Sequence, residues 1–101
     1  MSLINNLGYA YLLHGNLPAA EQWLLRTLAF APGRTNGWAN LGLTYAHRGD
    51  VRNAVACWAN AYRFSRNQET TRQFLQKWGE DTNGHVREAA RQALQLQLVS
   101  R

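Results

Sequence analysis

Histidine and cysteine side chains are the groups in this sequence that could most readily hold a metal ion. The three histidines, His14, His47 and His85, are far apart along the 101 residues. None has the i, i+4 spacing that places two imidazoles on one face of a helix for zinc. Cys57 is the single cysteine, so neither an internal disulfide nor a thiol-only metal site can form. We expect no metal site.

Groups that could catalyse a reaction are equally sparse. Glu80 and Asp81 are adjacent in a stretch with loop composition, so their side chains are expected to diverge into solvent. The serines lack the strand-to-helix turn of a nucleophile elbow, and no glycine-rich phosphate-binding motif is present. Cys57 falls in a Trp-containing helical stretch, where a buried, inert thiol is expected. We predict that the chain is not an enzyme and binds no cofactor.

Composition and charge narrow the class of partner. Apolar residues make up 46% of the chain and charged residues 17%, which is typical of a folded domain with a core. The net charge is +5, but the ten arginines are scattered, whereas nucleic-acid binding usually needs a concentrated basic stripe. No apolar run approaches the roughly 18–20 residues that cross a bilayer, and no signal peptide is apparent. We predict a soluble protein, cytoplasmic or periplasmic, with a protein or peptide partner and neither nucleic acid nor membrane.

The elements that position a binding surface emerge when the sequence is compared with itself at a fixed offset, which aligns positions 4–11 with positions 38–45. The pattern Ile-x-x-Leu-Gly-x-x-Tyr in the first stretch returns as Trp-x-x-Leu-Gly-x-x-Tyr in the second, and Ala20-x-x-x-Leu24 returns as Ala54-x-x-x-Trp58. Apolar residues within each copy fall at helical spacing. We predict an all-α fold with helices at about 2–14, 17–31, 36–48 and 51–65, followed by helices at about 70–79 and 84–98.

Glycine and asparagine or aspartate mark the turns between these helices. Gly15 and Gly49 are expected to end helices, and Asn16 and Asp50 to cap the helices that follow. The second copy is expected to stop near residues 67–68.

Glycines inside helices indicate close packing. Gly8 and Gly42 each cost about 1 kcal/mol relative to alanine at a mid-helix position. We expect a neighbouring backbone to approach too closely there for a side chain, with Ala20 and Ala54 as the small partners. Tyr11, Tyr45, Trp38 and Trp58 are expected to fill the space around these contacts, with Trp38 as a core ring.

The last third departs from the repeat. Thr70-x-x-Gln73 has the form of a capping box and is expected to begin the fifth helix. The Leu-Gly pair and the tyrosine are absent from residues 69–101. This segment is therefore expected to be a degenerate third unit or a capping helix pair.

The two copies resemble the tetratricopeptide repeat family, strongly over residues 1–68 and weakly over 69–101. Residues 38–58 match the family signature at each of its positions before the closing proline, which is Arg66 here. The resemblance implies an alpha–alpha superhelix, a solenoid of about six antiparallel helices in a single domain. Its repeats would span 1–34 and 35–68, with the degenerate unit at 69–101. It also implies protein binding without catalysis.

In the resembling family, the first helices of successive units line a concave groove that holds a peptide or a partner helix. Asn6 and Asn40 each precede the Leu-Gly pair, and similar asparagines grip a bound peptide backbone through their amides. Further groove candidates at matching positions are Asn5, Tyr9, Leu13, Asn36, Leu43 and His47. Arrays that clamp acidic chaperone tails carry basic residues where this chain has Asn5, Thr70 and Phe74, so that subtype is not expected.

Three functions stay open from the sequence. The leading one is a scaffold that binds a peptide or a partner helix in the groove, within a larger bacterial protein of assembly, secretion or envelope type. The second is a structural module that self-associates as a homodimer through an exposed end near Leu3 and Ile4. The third is a regulatory appendage of an enzyme domain outside this segment.

Overall fold

The helices occur where hydrophobic periodicity places them. The computed structural model describes residues 10–99, with side chains to residue 96, and contains no strand in that range. The all-α prediction is confirmed. In chain order the elements are helical residues 10–13 (α1), Leu17–Phe30 (α2), Thr35–His47 (α3), Val51–Phe64 (α4), Gln68–Trp78 (α5) and Gly84–Val99 (α6).

The turns before α2 and α4 are built alike, as the repeat in the sequence predicts. Gly15 and Gly49 have φ of +77° and +83°, a conformation that glycine adopts without steric cost. Asn16 and Asp50 follow, and each side chain accepts a hydrogen bond from a backbone amide in the first turn of its helix. The predicted caps are therefore confirmed.

The junction between α4 and α5 differs from the prediction. α4 ends at Phe64, and α5 begins at Gln68 rather than at residue 70. Asn67 is the N-cap, because its Oδ1 accepts from the amides of Glu69 and Thr70. The predicted capping box at Thr70 is wrong, since Thr70 already lies in the first turn of α5.

The helices stack in sequence order around one continuous core. α3 packs against both α2 and α4, and α4 packs against both α5 and α6. α6 presents short buried side chains to this stack, namely Val86, Ala89, Ala90 and Ala93. Small side chains let α6 approach α4 closely, so the last helix closes the core.

Trp58 of α4 lies at the centre of this core. Its side chain is fully buried, and its indole Nε1 donates a 3.0 Å hydrogen bond to the carbonyl oxygen of Ala39. A Cβ added at Gly42 would lie 2.5 Å from the indole Cδ1 and Nε1 atoms. The expected close approach therefore exists, but a side chain and not a neighbouring backbone causes it. Gly8 lies outside the described residues.

Trp38 has a different role from the one expected. Its ring is only half-buried against the core, and its Nε1 donates a 2.7 Å hydrogen bond to the carbonyl oxygen of Pro32. The expectation of a core ring is corrected, because Trp58 occupies the core while Trp38 ties α3 to the turn after α2.

A polar contact also joins α2 to α3. The carboxylate of Glu21 accepts a hydrogen bond from the guanidinium of Arg48. Burial, followed by a hydrogen bond to Glu21, raises the pKa of Tyr45 to about 12. Tyr45 therefore stays neutral at physiological pH.

Candidate functional site

The chemically reactive groups of the described residues are dispersed. Between residues 10 and 99 no three histidine, cysteine or acidic side chains come together as a metal site would require. Burial, with smaller contributions from Asp50 and Glu21, raises the pKa of Cys57 to about 12. The thiol is therefore protonated at physiological pH and a poor nucleophile. Across the same range, every helix is too short or too polar to cross a bilayer.

An open cleft of about 700 Å³ lies between α3 and α5. Both helices pack on α4, but no Cα atom of α3 lies within 8 Å of one in α5. The gap between them is therefore open to solvent. The side of α3 contributes Thr35, Asn36, Ala39 and Asn40; the α2–α3 turn contributes Ala31, Gly33 and Arg34; the remaining lining residues are Phe64, Ser65, Arg66, Asn67, Thr70, Thr71 and Phe74.

Helical spacing explains why these residues share a surface. The α3 residues occur at 35, 36, 39 and 40, and the α5 segment contributes 67, 70, 71 and 74. Both sets have the three- and four-residue spacing of one helix face. Two such faces, turned toward each other across a gap, form a groove for an elongated ligand.

Some polar groups in the cleft are already used by the protein. The hydroxyl of Thr71 donates to Ser65 Oγ at 2.8 Å, and Ser65 Oγ donates to the carbonyl oxygen of Asn67 at 2.8 Å. The side chain of Asn67 caps α5. These three residues shape the start of α5 and offer little to a ligand.

The side-chain amides of Asn36 and Asn40 are different. They lie one helical turn apart on α3, and Asn36 is exposed while Asn40 is half-buried. Within the described residues neither amide has a hydrogen-bond partner, although the backbone carbonyl of Asn40 accepts from Thr44. Each amide offers both donors and an acceptor. Together they could bind two points of an extended backbone.

Aromatic side chains form the opposite side of the cleft. The ring of Phe74 makes edge-to-face contacts with Trp58 at 6.3 Å and Trp78 at 5.9 Å between centroids. These contacts hold the ring in place. Phe64 is 39% exposed at the end of α4, beside Gly33 of the preceding turn. The cleft therefore combines an apolar wall with two amides that have no partner in the described part of the chain.

The residues predicted for the groove fall into three groups. Asn36 and Asn40 line the cleft together. Leu43 is only 4% exposed and belongs to the core, because neighbouring helices cover its side of α3, whereas Leu13 and His47 are exposed outside the cleft. Asn5, Asn6 and Tyr9 lie outside the described residues.

Sequence reasoning did not select Arg34, Phe64 and Arg66, which lie at a helix end or in the turns between helices. They reach the cleft because the chain turns there, and hydrophobic periodicity does not select residues at such places. One signal was present: Phe64 occupies the same position in the second copy of the repeat as Phe30 does in the first. The sequence points to Thr70 and Phe74 only as fifth-helix positions that lack the basic residues of a chaperone-tail clamp.

Comparison with known proteins adds no assignment. No family model matches the chain. No curated protein matches it either. The fold itself defines the class of protein as an all-α stack of helices with an open cleft.

Proposed function

We propose that this chain is a tetratricopeptide-like scaffold that binds a peptide or a partner helix of another protein in the α3–α5 cleft. The observation that carries the proposal is a pair of amides, those of Asn36 and Asn40, that no described residue engages and that face an aromatic wall across an open groove. A peptide backbone needs donors and acceptors at regular intervals, and its side chains need apolar surface. The cleft offers both.

The repeat supports the family assignment within this proposal. Equivalent positions of the two copies have matching turns in the described chain, with positive φ at Gly15 and Gly49. Matching core positions are also equally buried, since Ala20 and Ala54 are both fully buried. Recurrent units that bury one continuous core are typical of solenoid proteins, whose grooves bind other proteins.

Removing both amides tests the binding mode. We expect the double variant Asn36→Ala/Asn40→Ala to weaken peptide binding about tenfold or more, because two hydrogen-bonding groups are lost at the ligand. A random peptide library displayed on phage would be selected on the immobilised protein, and the affinity of enriched peptides measured by fluorescence anisotropy. Helical content by circular dichroism should not change.

The matched control is Gln22→Ala/Gln95→Ala, which removes two exposed amides outside the cleft. It should bind the selected peptides as the unmodified protein does. If the enriched peptides bind equally well to both double variants, they bind outside the cleft. A library that enriches no peptide dependent on the two asparagines would contradict the proposal.

Self-association is a second candidate, favoured by an exposed aromatic ring. Phe30 is 82% exposed at the end of α2, whereas its equivalent Phe64 lies beside Gly33 of the preceding unit. In the second copy of the repeat, the turn of the first copy partly covers the ring of Phe64. The ring of Phe30 in the first copy has no such cover among the described residues. The terminal residues Leu3 and Ile4, on which the sequence-based hypothesis rested, lie outside the described residues.

Sedimentation velocity separates this candidate from a monomeric scaffold. If copies associate through this surface, a dimer should persist on dilution, and Phe30→Ser should convert it to a monomer because exposed apolar area drives the contact. Phe30→Ser should not alter thermal stability, since the ring is mostly in solvent. A monomer at all concentrations for the unmodified protein would remove self-association.

A further inference from the structure

The charged residues that line the cleft are all positive. Its lining includes two arginines, Arg34 and Arg66, and none of its fourteen lining residues is acidic. Glu69, the acidic residue nearest to these positions in sequence, lies outside the lining and 3.6 Å from Arg72. A ligand in the cleft therefore meets positive charge without a compensating carboxylate.

Among the described residues, the guanidinium groups of these two arginines are left unused. Within residues 10–96 the two ion pairs involve Arg48 and Arg72. Arg87 and Arg91 donate to carbonyl oxygens of the loop before α6. Arg26 and Arg63 lie over aromatic rings. In that range neither the guanidinium of Arg34 nor that of Arg66 has a partner.

The charge lies beside apolar surface. Arg66 follows Phe64 closely in the chain, and both line the cleft with Phe74 and Ala39. An arginine at the edge of an apolar groove can bind a carboxylate in a bidentate manner, while a neighbouring ligand side chain covers the rings. Neither a purely apolar nor a basic ligand would satisfy this lining.

We infer that the cleft selects a peptide in which side-chain carboxylates alternate with aromatic or large aliphatic side chains. Its carboxylates pair with Arg34 and Arg66, its apolar side chains cover Phe64 and Phe74, and its backbone bonds to the asparagine amides. This inference rests on the proposed peptide-binding function and adds the chemistry of the ligand.

A defined peptide tests the inference. The probe is a short, fluorescein-labelled, C-terminally amidated peptide in which Glu alternates with Phe and Leu, so that its negative charges are all on side chains. Its counterpart has Gln in place of each Glu. We expect the acidic peptide to bind about tenfold or more tightly than the Gln peptide, a preference that falls as salt screens the charges.

Arginine variants assign the preference to the cleft. Arg34→Gln/Arg66→Gln should bind both peptides equally and weakly. The matched control, Arg26→Gln/Arg52→Gln, removes the same charge from exposed positions outside the lining and should keep most of the preference. An equal loss in both double variants would indicate nonspecific attraction to the net charge and would overturn the inference.

The remaining outcomes separate this inference from the scaffold proposal. If library peptides bind through Asn36 and Asn40 but Gln substitution does not weaken binding, the acidic preference is wrong and the scaffold stands. If no peptide depends on the asparagines or the arginines, both fail. If a single-stranded oligonucleotide displaces the acidic peptide and binds more tightly through the same two arginines, the cleft is a nucleic-acid site and the inference is overturned.

Discussion

Replacing Trp58 with alanine is expected to destabilise the fold by about 3–5 kcal/mol, in the range typical of large aromatic deletions in a core. The side chain is fully buried, so the substitution leaves a cavity between α3 and α4. It also leaves the carbonyl oxygen of Ala39 without its indole donor and removes the edge contact to Phe74. The free energy of unfolding of a small domain is about 5–15 kcal/mol, so the substitution removes much of the stability.

Urea denaturation followed by circular dichroism measures this effect. Trp38→Ala is the matched control, because the same residue type is half-exposed there and its hydrogen bond to Pro32 is at the surface. We expect a clearly smaller loss for Trp38→Ala. If Trp58→Ala costs less than about 1 kcal/mol, or less than Trp38→Ala, the indole is not the centre of the core.

Gly42→Ala is expected to destabilise the protein by about 1–2 kcal/mol, although alanine favours a helix by up to about 1 kcal/mol over glycine. The new Cβ would lie 2.5 Å from two atoms of the Trp58 indole. That ring cannot withdraw easily, because its Nε1 is hydrogen-bonded to Ala39 of the same helix as Gly42. Overpacking therefore outweighs the gain in helix propensity.

A double-mutant cycle identifies the cause. In a Trp58→Leu background the ring is absent, so adding Gly42→Ala should be neutral or stabilising, with a coupling of about 0.5–3 kcal/mol between the two sites. Chemical denaturation of the four proteins gives this coupling. Additive effects would mean that the glycine is needed for some reason other than the indole.

Gly37→Ala, in the same helix, is the control for packing against a flexible neighbour. A Cβ at Gly37 would lie 2.9 Å from the Leu28 Cδ2 atom, at the tip of a side chain that can rotate. We expect a smaller loss than at Gly42. A larger loss at Gly37 would indicate that mobility of the neighbour does not govern these contacts.

Local sequence determined the helices and their turns. Gly49 adopts positive φ and Asp50 caps α4 because these preferences depend on a few neighbouring atoms, and the repeat predicted them twice. The same local rules failed where two caps competed. Asn67 and Thr70 both suit a helix start, and the packing of α5 on α4 and α6 is consistent with the earlier cap.

Only part of the candidate site could be predicted from the sequence. Asn40 was found because an asparagine precedes the Leu-Gly pair in both copies of the repeat, and Asn36 because it lies at a matching phase of the same helix. Leu43 matched the same reasoning but faces the core, since phase does not tell which side of a helix its neighbours cover.

Tertiary structure decided how side chains of different helices meet. The repeat predicts Trp58 near the close contact, but only packing decides that its indole, rather than a backbone, meets Gly42 and donates to Ala39 of α3. The cleft likewise exists because α3 and α5 both pack on α4 while their backbones stay apart. Helix formation depends largely on residues that are close in sequence. A groove depends on how packing orients the faces of helices that are far apart in sequence. The sequence therefore determined the helices and where they end, and the packing of the helices brought Arg34 and Arg66 to the same cleft.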